Sequence, residues 1–251
     1  MSVSAQPQPL APQLAYLKLT FIHDQFQALA QQATAQQWTP LEYLGKLVEG
    51  EVQRRQDRAL QRRLNAARFP VLKTLESFQW NWPKKLNRMQ VQQLFQLHFL
   101  KTHCNIIFIG GVGLGKTHLA SALAYQCCLD GHSVLFTTAI DAVNTLIAAQ
   151  AAGRLKPALQ KYLKPRLLCL DEIGYLPIDK TGADLLFQIV SHRYERGSMI
   201  ITSNRAYKKW PDIFNNDVTL TSALLDRLLH HAETILIEGS SYRMKARIDN
   251  T

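Results

Sequence analysis

Residues 110–117 have the sequence Gly-Gly-Val-Gly-Leu-Gly-Lys-Thr, which matches the pattern G-x-x-x-x-G-K-[ST] at every fixed position. The preceding residues 105–109 are largely apolar and β-branched, a composition that predicts a buried strand. Residues 118–125, which follow, favour a helix and contain neither glycine nor proline. A strand, a glycine-rich loop and a helix in this order are the context in which the pattern binds phosphate. The stretch therefore predicts a nucleotide-binding domain.

The composition of this loop suits phosphate binding. Glycines lack a Cβ, so backbone N–H groups can approach phosphate oxygens, and the start of the next helix adds partial positive charge. We expect Lys116 to bridge the β- and γ-phosphates of a nucleotide and Thr117 to place its hydroxyl on Mg²⁺. A simple turn between strand and helix would need neither side chain. The candidate nucleotide-binding residues are Gly110, Gly111, Val112, Gly113, Leu114, Gly115, Lys116, Thr117 and His118.

Four further apolar segments alternate with helical segments after the loop. They cover residues 132–136, 166–170, 198–202 and 234–237. Parallel strands need crossover connections, and the helical segments between these runs can supply them. The predicted fold class is α/β, with a five-stranded, mostly parallel P-loop sheet covered by helices and a small N-terminal helical domain.

Polar side chains follow the third and fourth predicted strands. Asp171 and Glu172 end the third strand, which is the form of a Walker B element, although acidic pairs after strands also occur by chance. Asp171 is expected to hold Mg²⁺ through water, and Glu172 to act as general base on the attacking water. Asn204 follows the fourth strand, at the edge where ligands bind in such sheets, and is a candidate to orient that water. Its alternative role is to begin a turn or cap a helix.

Arg227 stands among apolar residues in the segment 224–228. A charged group there needs a partner, and Asp226 is the local candidate. The alternative is an arginine finger, which stabilises transition-state charge on the γ-phosphate of a neighbouring subunit. That role requires a homo-oligomer.

The N-terminal part of the chain has a different character. Residues 1–13 are rich in Gln, Pro and Ala and predict a flexible lead rather than a signal peptide. Residues 14–35 and the segment from residue 41 show helical periodicity, so residues 14–68 predict a helical domain and residues 69–251 the ATPase domain. The arginines between residues 54 and 68 form either a solvated helix face or a surface for phosphates or an acidic partner.

The charge, the apolar runs, the cysteines and the histidines indicate which partners, location and metal sites to expect. The net charge is +10 and the pI about 9.6, which indicates a polyanionic partner such as nucleic acid. The apolar runs fall short of the roughly 18–20 residues that span a bilayer, so no membrane partner is expected. The four cysteines form no C-x-x-C pair, which favours reduced thiols and a cytoplasmic location. The histidines, His230 and His231 among them, have no carboxylate companion at metal spacing in the sequence, so no zinc site is expected.

The order and spacing of these motifs resemble those of AAA+ ATPases of the IstB/DnaC clade, over about residues 70–251. The chain is similar in particular to IstB-like transposition helpers. That similarity also includes the N-terminal part, through Arg62-Arg63 and residues 67–70 and 73–75. Further matching segments are residues 171–175, 202–204 and 239–243.

The resemblance implies an ATPase whose sites lie at subunit interfaces, and whose hydrolysis is slow and stimulated by DNA. It also implies assembly on double-stranded DNA, bending of that DNA, and recruitment and activation of a partner transposase. The N-terminal helices would bind the partner. The resemblance further makes Arg243 a sensor of bound nucleotide, although the sequence continues for only eight residues after it. An extra helix that initiator-type relatives use towards DNA suggests four phosphate contacts: Arg154, Lys156, Lys161 and Lys164.

Two other functions are compatible with the motifs. A DnaC-like helicase loader would prefer single-stranded DNA and bind a helicase through its N-terminal region. A nucleotide-binding scaffold without hydrolysis would keep every activity when Glu172 is replaced by Gln.

Overall fold

The computed structural model describes residues 10–242, and the chain divides into two compact units between Arg62 and Arg63. The first unit contains α1 (Leu10–Tyr16), α2 (Thr20–Ala35) and most of α3 (Pro40–Ala67). The segment 14–35, predicted as one helix, is two helices, because Lys18 adopts a positive φ of 56° between them. A single long helix was therefore the wrong prediction for this segment.

Reciprocal capping begins α3. The backbone N–H of Thr39 donates to Glu42 Oε2 at 2.7 Å, and the N–H of Glu42 donates to Thr39 Oγ1 at 3.2 Å. This capping box satisfies donors that the first turn leaves without intrahelical partners. Further along, buried Glu51 accepts the Phe21 N–H at 2.7 Å and pairs with Arg55 at 3.0 Å. The Glu51 carboxylate therefore joins α3 to the start of α2.

The second unit is built on a fully parallel sheet. Its strands are β1 (Asn105–Gly110), β2 (Val134–Thr138), β3 (Leu167–Ile173), β4 (Ser198–Ser203) and β5 (Ala232–Ile237). Their order is β2-β3-β4-β1-β5, and each neighbouring pair is parallel. The predicted fold class is confirmed, since a five-stranded parallel sheet carries the loop of residues 110–117.

The helices of this unit connect the strands across both faces of the sheet. Residues 90–100 are amphipathic in sequence and predict one helix, but the helix is interrupted because Leu97 has a φ of 59°. Buried side chains such as Leu146, Leu186 and Leu224 pack helices against the apolar strands in a contiguous core. The helical segments are α4 (Arg88–Leu94), α5 (His98–Lys101), α6 (Lys116–Leu129), α7 (Ala139–Ala151), α8 (Leu155–Leu163), α9 (Lys180–Arg193), a 3-10 turn (Tyr207–Lys209) and α10 (Val218–His230).

Arg193 at the end of α9 is a buried cation whose two terminal nitrogens donate to carbonyl groups, while its Nε has no hydrogen-bond partner among the described residues. Its guanidinium donates to the carbonyls of Tyr162, Leu163, Pro165, Arg166 and Ser198, at 2.8–3.3 Å. Burial lowers the pKa of Arg193 to about 10, so the group stays charged at neutral pH. The contacts fix the end of α8 against the sheet, and α8 carries two of the predicted DNA contacts.

Within residues 10–242, no helix combines the length and apolar character needed to cross a bilayer. The sheet topology instead brings the carboxyl ends of β1, β3 and β4 to one edge, because these parallel strands are neighbours. Residues that follow those strands in the sequence therefore meet at one place.

Candidate functional site

A cavity of about 1190 Å³ lies at the carboxyl edge of the sheet, within the second unit. Its walls come from the loop after β1, the ends of β3 and β4, the start of α7, and residues between 68 and 83. Walker A, Walker B and Asn204 therefore share one cavity, as their positions after neighbouring strands predicted.

Two glycines of the loop have conformations that other residues rarely adopt. Gly113 has a φ of 74° and Gly115, which precedes α6, a φ of 88°. A Cβ on Gly115 would lie 2.7 Å from Phe78 Cε2, and one on Gly113 would collide with the side chain of Ser241. The loop thus needs glycine here both for backbone conformation and for space.

Lys116 and Thr117 project from the first turn of α6. The Lys116 ammonium donates to the carbonyls of Gly110 at 2.8 Å and Gly111 at 2.7 Å. Thr117 Oγ1 lies 3.0 Å from both carboxylate oxygens of Asp171. Asp171 is only 4% exposed, yet it lines the cavity. A hydroxyl and a carboxylate brought together are the hard oxygen donors that Mg²⁺ prefers, so these residues fit the ion.

Glu172 and Asn204 complete the polar wall. Glu172 is exposed, lines the cavity and has a positive φ of 62°. The Oδ1 atom of Asn204 is buried without a hydrogen-bond partner among the residues that the structure describes. Buried polar atoms are nearly always satisfied, so this oxygen is suited to a water or ligand in the cavity.

Thr202 is a contributor that the sequence did not indicate as a functional side chain. It is buried in β4, donates to the Asp171 carboxylate, and accepts the backbone N–H of Glu172 at 2.9 Å. Its position in an apolar strand gave no sign of this role. A hydroxyl inside a strand that ends at the P-loop edge is the one signal that could have identified it.

His118 contacts the segment that covers the loop. Its Nε2 donates to the Thr74 carbonyl at 2.9 Å and lies 3.2 Å from Ser77 Oγ, while its ring meets Phe78 edge-on at 5.3 Å. Burial lowers the pKa of His118, the Thr74 carbonyl opposes the shift, and Lys73 adds to it. His118 lines the cavity and also holds residues 74–78 beside the loop. Trp82 lines the cavity too, so an aromatic ring borders it.

Arg227 is absent from the described lining of the cavity in its own chain. Its guanidinium donates to the Ala223 carbonyl at 2.9 Å and lies 4.9 Å from the centre of the Phe187 ring. These contacts, rather than the expected pairing with Asp226, accommodate the charge. The predicted nucleotide sensor Arg243 lies outside the described residues.

The four predicted DNA contacts fall into two groups. Arg154, Lys156 and Lys164 are exposed around α8. Lys161 is half-buried, lines the cavity, and places its ammonium 5.1 Å from the centre of the Tyr162 ring. Three of these side chains are thus open to solvent, whereas Lys161 borders the cavity.

The fold gives His230 and His231 a carboxylate neighbour that is distant in the sequence. The fold brings Glu195 to the end of α10, where its Oε1 lies 3.9 Å from His230 Nδ1 and 3.6 Å from His231 Nε2. All three side chains are exposed, and the Tyr194 hydroxyl lies 2.8 Å from His230 Nδ1. The sequence did not reveal the carboxylate companion, because it lies 35 residues before His230.

Comparison with known proteins gives consistent results across nearly the whole chain. The family model described as IstB-like ATP binding protein matches residues 12–250. The IS21 ATP-binding protein of Pseudomonas aeruginosa is 38% identical over 234 residues, covering 93% of this chain and 88% of the relative. The IS5376 ATP-binding protein of Geobacillus stearothermophilus is 34% identical over 231 residues, covering 92% of both.

Solved structures show the same fold at low identity. DnaA from Aquifex aeolicus with bound AMPPCP has a TM-score of 0.58 and 22% identity, and the match covers 73% of this chain. It covers 55% of the DnaA chain, so this chain spans about half the length of that protein. The DnaC helicase loader has a TM-score of 0.56 and 20% identity, with 70% of this chain and 99% of the loader covered. Both likenesses support the parallel P-loop sheet of AAA+ proteins.

Proposed function

Because this chain belongs to the family of IstB-like ATP-binding proteins, we propose that it hydrolyses ATP, assembles on duplex DNA and assists a transposase. The observation that supports this most is the meeting of the P-loop, Asp171, Glu172 and Asn204 around one cavity. Its close relatives are ATP-binding proteins of insertion sequences, which are mobile DNA. A helper that couples ATP to transposition accounts for both facts.

The chemistry proposed for the cavity follows from its side chains. The N–H groups of the P-loop and Lys116 bind the phosphates of ATP, and Thr117 and Asp171 hold Mg²⁺. When bound, Mg²⁺ neutralises charge on the phosphate oxygens. Glu172 accepts a proton from the attacking water, and Asn204 Oδ1 accepts a hydrogen bond that orients that water. The proposed product is ADP with inorganic phosphate.

We assign Arg227 to the site of a neighbouring subunit. Its guanidinium does not line the cavity of its own chain, where Lys116 supplies the cation of the P-loop. In this proposal the guanidinium adds positive charge at the γ-phosphate of a neighbouring copy. Assembly and hydrolysis become linked, because each site is incomplete until the neighbour arrives.

Duplex DNA is the polyanion that we propose for the basic surface. The net charge of +10 favours binding to the phosphates of DNA. Exposed Lys156 lies on α8, and exposed Arg154 and Lys164 lie at its two ends. Phosphate contacts of this kind are sequence-independent and weaken as salt is raised. The protein is then expected to bind duplex of varied sequence.

The N-terminal unit is the proposed binding site for the transposase. On α3, Leu47 is buried, whereas Leu41, Leu44, Val48 and Val52 are exposed at helical spacing. An apolar stripe open to solvent is typical of protein-binding surfaces. We place the protein in the cytoplasm, since its cysteines are free thiols, as expected in a reducing compartment.

Charge removal on α8 tests the DNA proposal. The triple variant R154A/K156A/K164A is expected to bind duplex more weakly and to lower the salt slope of log K by about 0.9 for each phosphate that it no longer neutralises. The measurement is fluorescence anisotropy of labelled duplex in ATP, across a salt series. The matched control K101A/K208A/K209A removes the same charge at exposed positions elsewhere in the unit and should keep the wild-type slope.

Equal reductions of affinity in the two triple variants would contradict a DNA surface on α8. Helicase loading is the second candidate function, because the fold is similar to that of the DnaC loader. Preference for single-stranded over duplex DNA in the same assay would favour the loader over the transposition helper.

A further inference from the structure

The hydroxyl of Thr202 is shared by the two acidic residues of the site. It donates to the Asp171 carboxylate and accepts the backbone N–H of Glu172 at 2.9 Å. One hydroxyl has one donor hydrogen and acceptor capacity, so both hydrogen bonds can exist together. Thr202 itself is 1% exposed, which keeps water from replacing either bond.

The pairing between β3 and β4 explains why the Glu172 N–H needs a side-chain hydrogen-bond partner. Pairing between β3 and β4 is regular up to Leu170 opposite Ile201, and resumes with Ile173 opposite Ser203. Two residues, Asp171 and Glu172, thus face one residue, Thr202, which is the geometry of a β-bulge. A bulge disrupts the ladder locally, and the Thr202 hydroxyl supplies a partner for the Glu172 N–H.

The bulge also determines where the two acidic side chains lie. Successive side chains of a regular strand point to opposite faces of the sheet. Asp171 and Glu172 are successive, yet both line the same cavity. A bulge can re-aim a side chain in this way, and here it leaves Glu172 with a φ of 62°. For a residue with a Cβ this conformation is unfavourable, so surrounding contacts must hold it.

We propose that Thr202 is a positioning residue for ATP hydrolysis: its hydroxyl holds the bulge that directs Glu172 and Asp171 into one cavity. The inference rests on the proposed role of Glu172 as general base. Thr202 also lines the cavity, but both hydrogen bonds of its hydroxyl go to the two acidic residues, through which it acts. Its removal therefore affects turnover more than nucleotide binding.

The test compares T202V with T202S. Valine keeps the shape of threonine without the hydroxyl, and serine keeps the hydroxyl. T202V is expected to lower kcat about 100-fold, the order expected when a catalytic group is displaced by about 1 Å. Its KM for ATP and its affinity for a fluorescent ATP analogue should stay near wild type. T202S should restore kcat to near wild type, which a change in packing alone would not explain.

S198A is the matched control. Ser198 is buried at the other end of β4, and its hydroxyl donates to the Phe99 carbonyl at 3.0 Å. Removing it should leave kcat unchanged even if stability falls. Should T202V fail to fold, T202A removes the same hydroxyl with a smaller side chain and carries the same expectation.

E172Q, measured in parallel, separates the positioning role of Thr202 from the proposed ATP hydrolysis itself. Wild-type kcat in T202V with a large decrease in E172Q would overturn the positioning role and leave the proposed hydrolysis intact. Wild-type kcat in E172Q would overturn both. Equal decreases in T202V and T202S would also contradict the inference, since the hydroxyl would then be irrelevant.

Discussion

Replacing Arg227 with alanine is expected to lower ATP turnover by about 10³–10⁵-fold, the size of effect known for arginine fingers. ATP affinity should change little, because Arg227 does not line the cavity of its own chain. The change should also leave the fold intact, since the guanidinium donates to the Ala223 carbonyl on its own helix and lies over the face of Phe187. Steady-state phosphate release in the presence of duplex DNA measures the effect.

Two controls make this result specific. Arg196 is an exposed arginine just beyond α9, and R196A should keep wild-type turnover. Mixing R227A with E172Q tests action between subunits. A site formed by an R227A subunit beside an E172Q subunit has both an intact Glu172 and an intact Arg227. The mixture should therefore recover part of the activity that each variant lacks alone, and no recovery would contradict an arginine supplied by a neighbour.

Replacing Glu172 with glutamine is expected to lower turnover by about 10²–10⁴-fold while ATP binding persists, since a carboxamide cannot accept the proton of the attacking water. The side chain keeps its size, and Thr202 holds this residue through its backbone N–H, so the bulge should remain. ATP-dependent complexes on DNA should consequently last longer than those of the wild type. Turnover and complex lifetime are measured on the same preparation.

Glu195 provides a backbone-matched control for this change. It is an exposed glutamate with a φ of 56°, close to the 62° of Glu172, and it lies outside the cavity lining. E195Q should behave as the wild type. Unchanged activities in E172Q would instead support a scaffold that binds nucleotide without hydrolysis.

The sheet was predictable because each strand contains a short apolar run, although β2 and β5 begin two residues away from the predicted starts at 132 and 234. The motif residues were predictable because they follow neighbouring parallel strands, and such ends meet at one edge. Helix boundaries were less accessible: Lys18 and Leu97 interrupt helical patterns through positive φ values that nothing in their residue type signals. Breaks of this kind depend on tertiary packing rather than on local propensity.

Long-range side-chain partners were the other part that the sequence did not reveal. The carbonyl shell of Arg193, the companions of His230 and the bulge across from Thr202 each join segments about 30 residues apart or more. Periodicity and motif spacing describe neighbours along a strand or helix. They carry no information on which hydroxyl or carboxylate a distant strand will present.

The most direct test of the central claim is the mass of the protein on a duplex of about 50 base pairs, roughly five helical turns, by light scattering in ATP and in ADP. We expect a large complex in ATP that is absent in ADP and that collapses in R227A. A mass that is indifferent to the nucleotide, or large complexes formed only on single-stranded DNA, would contradict this claim.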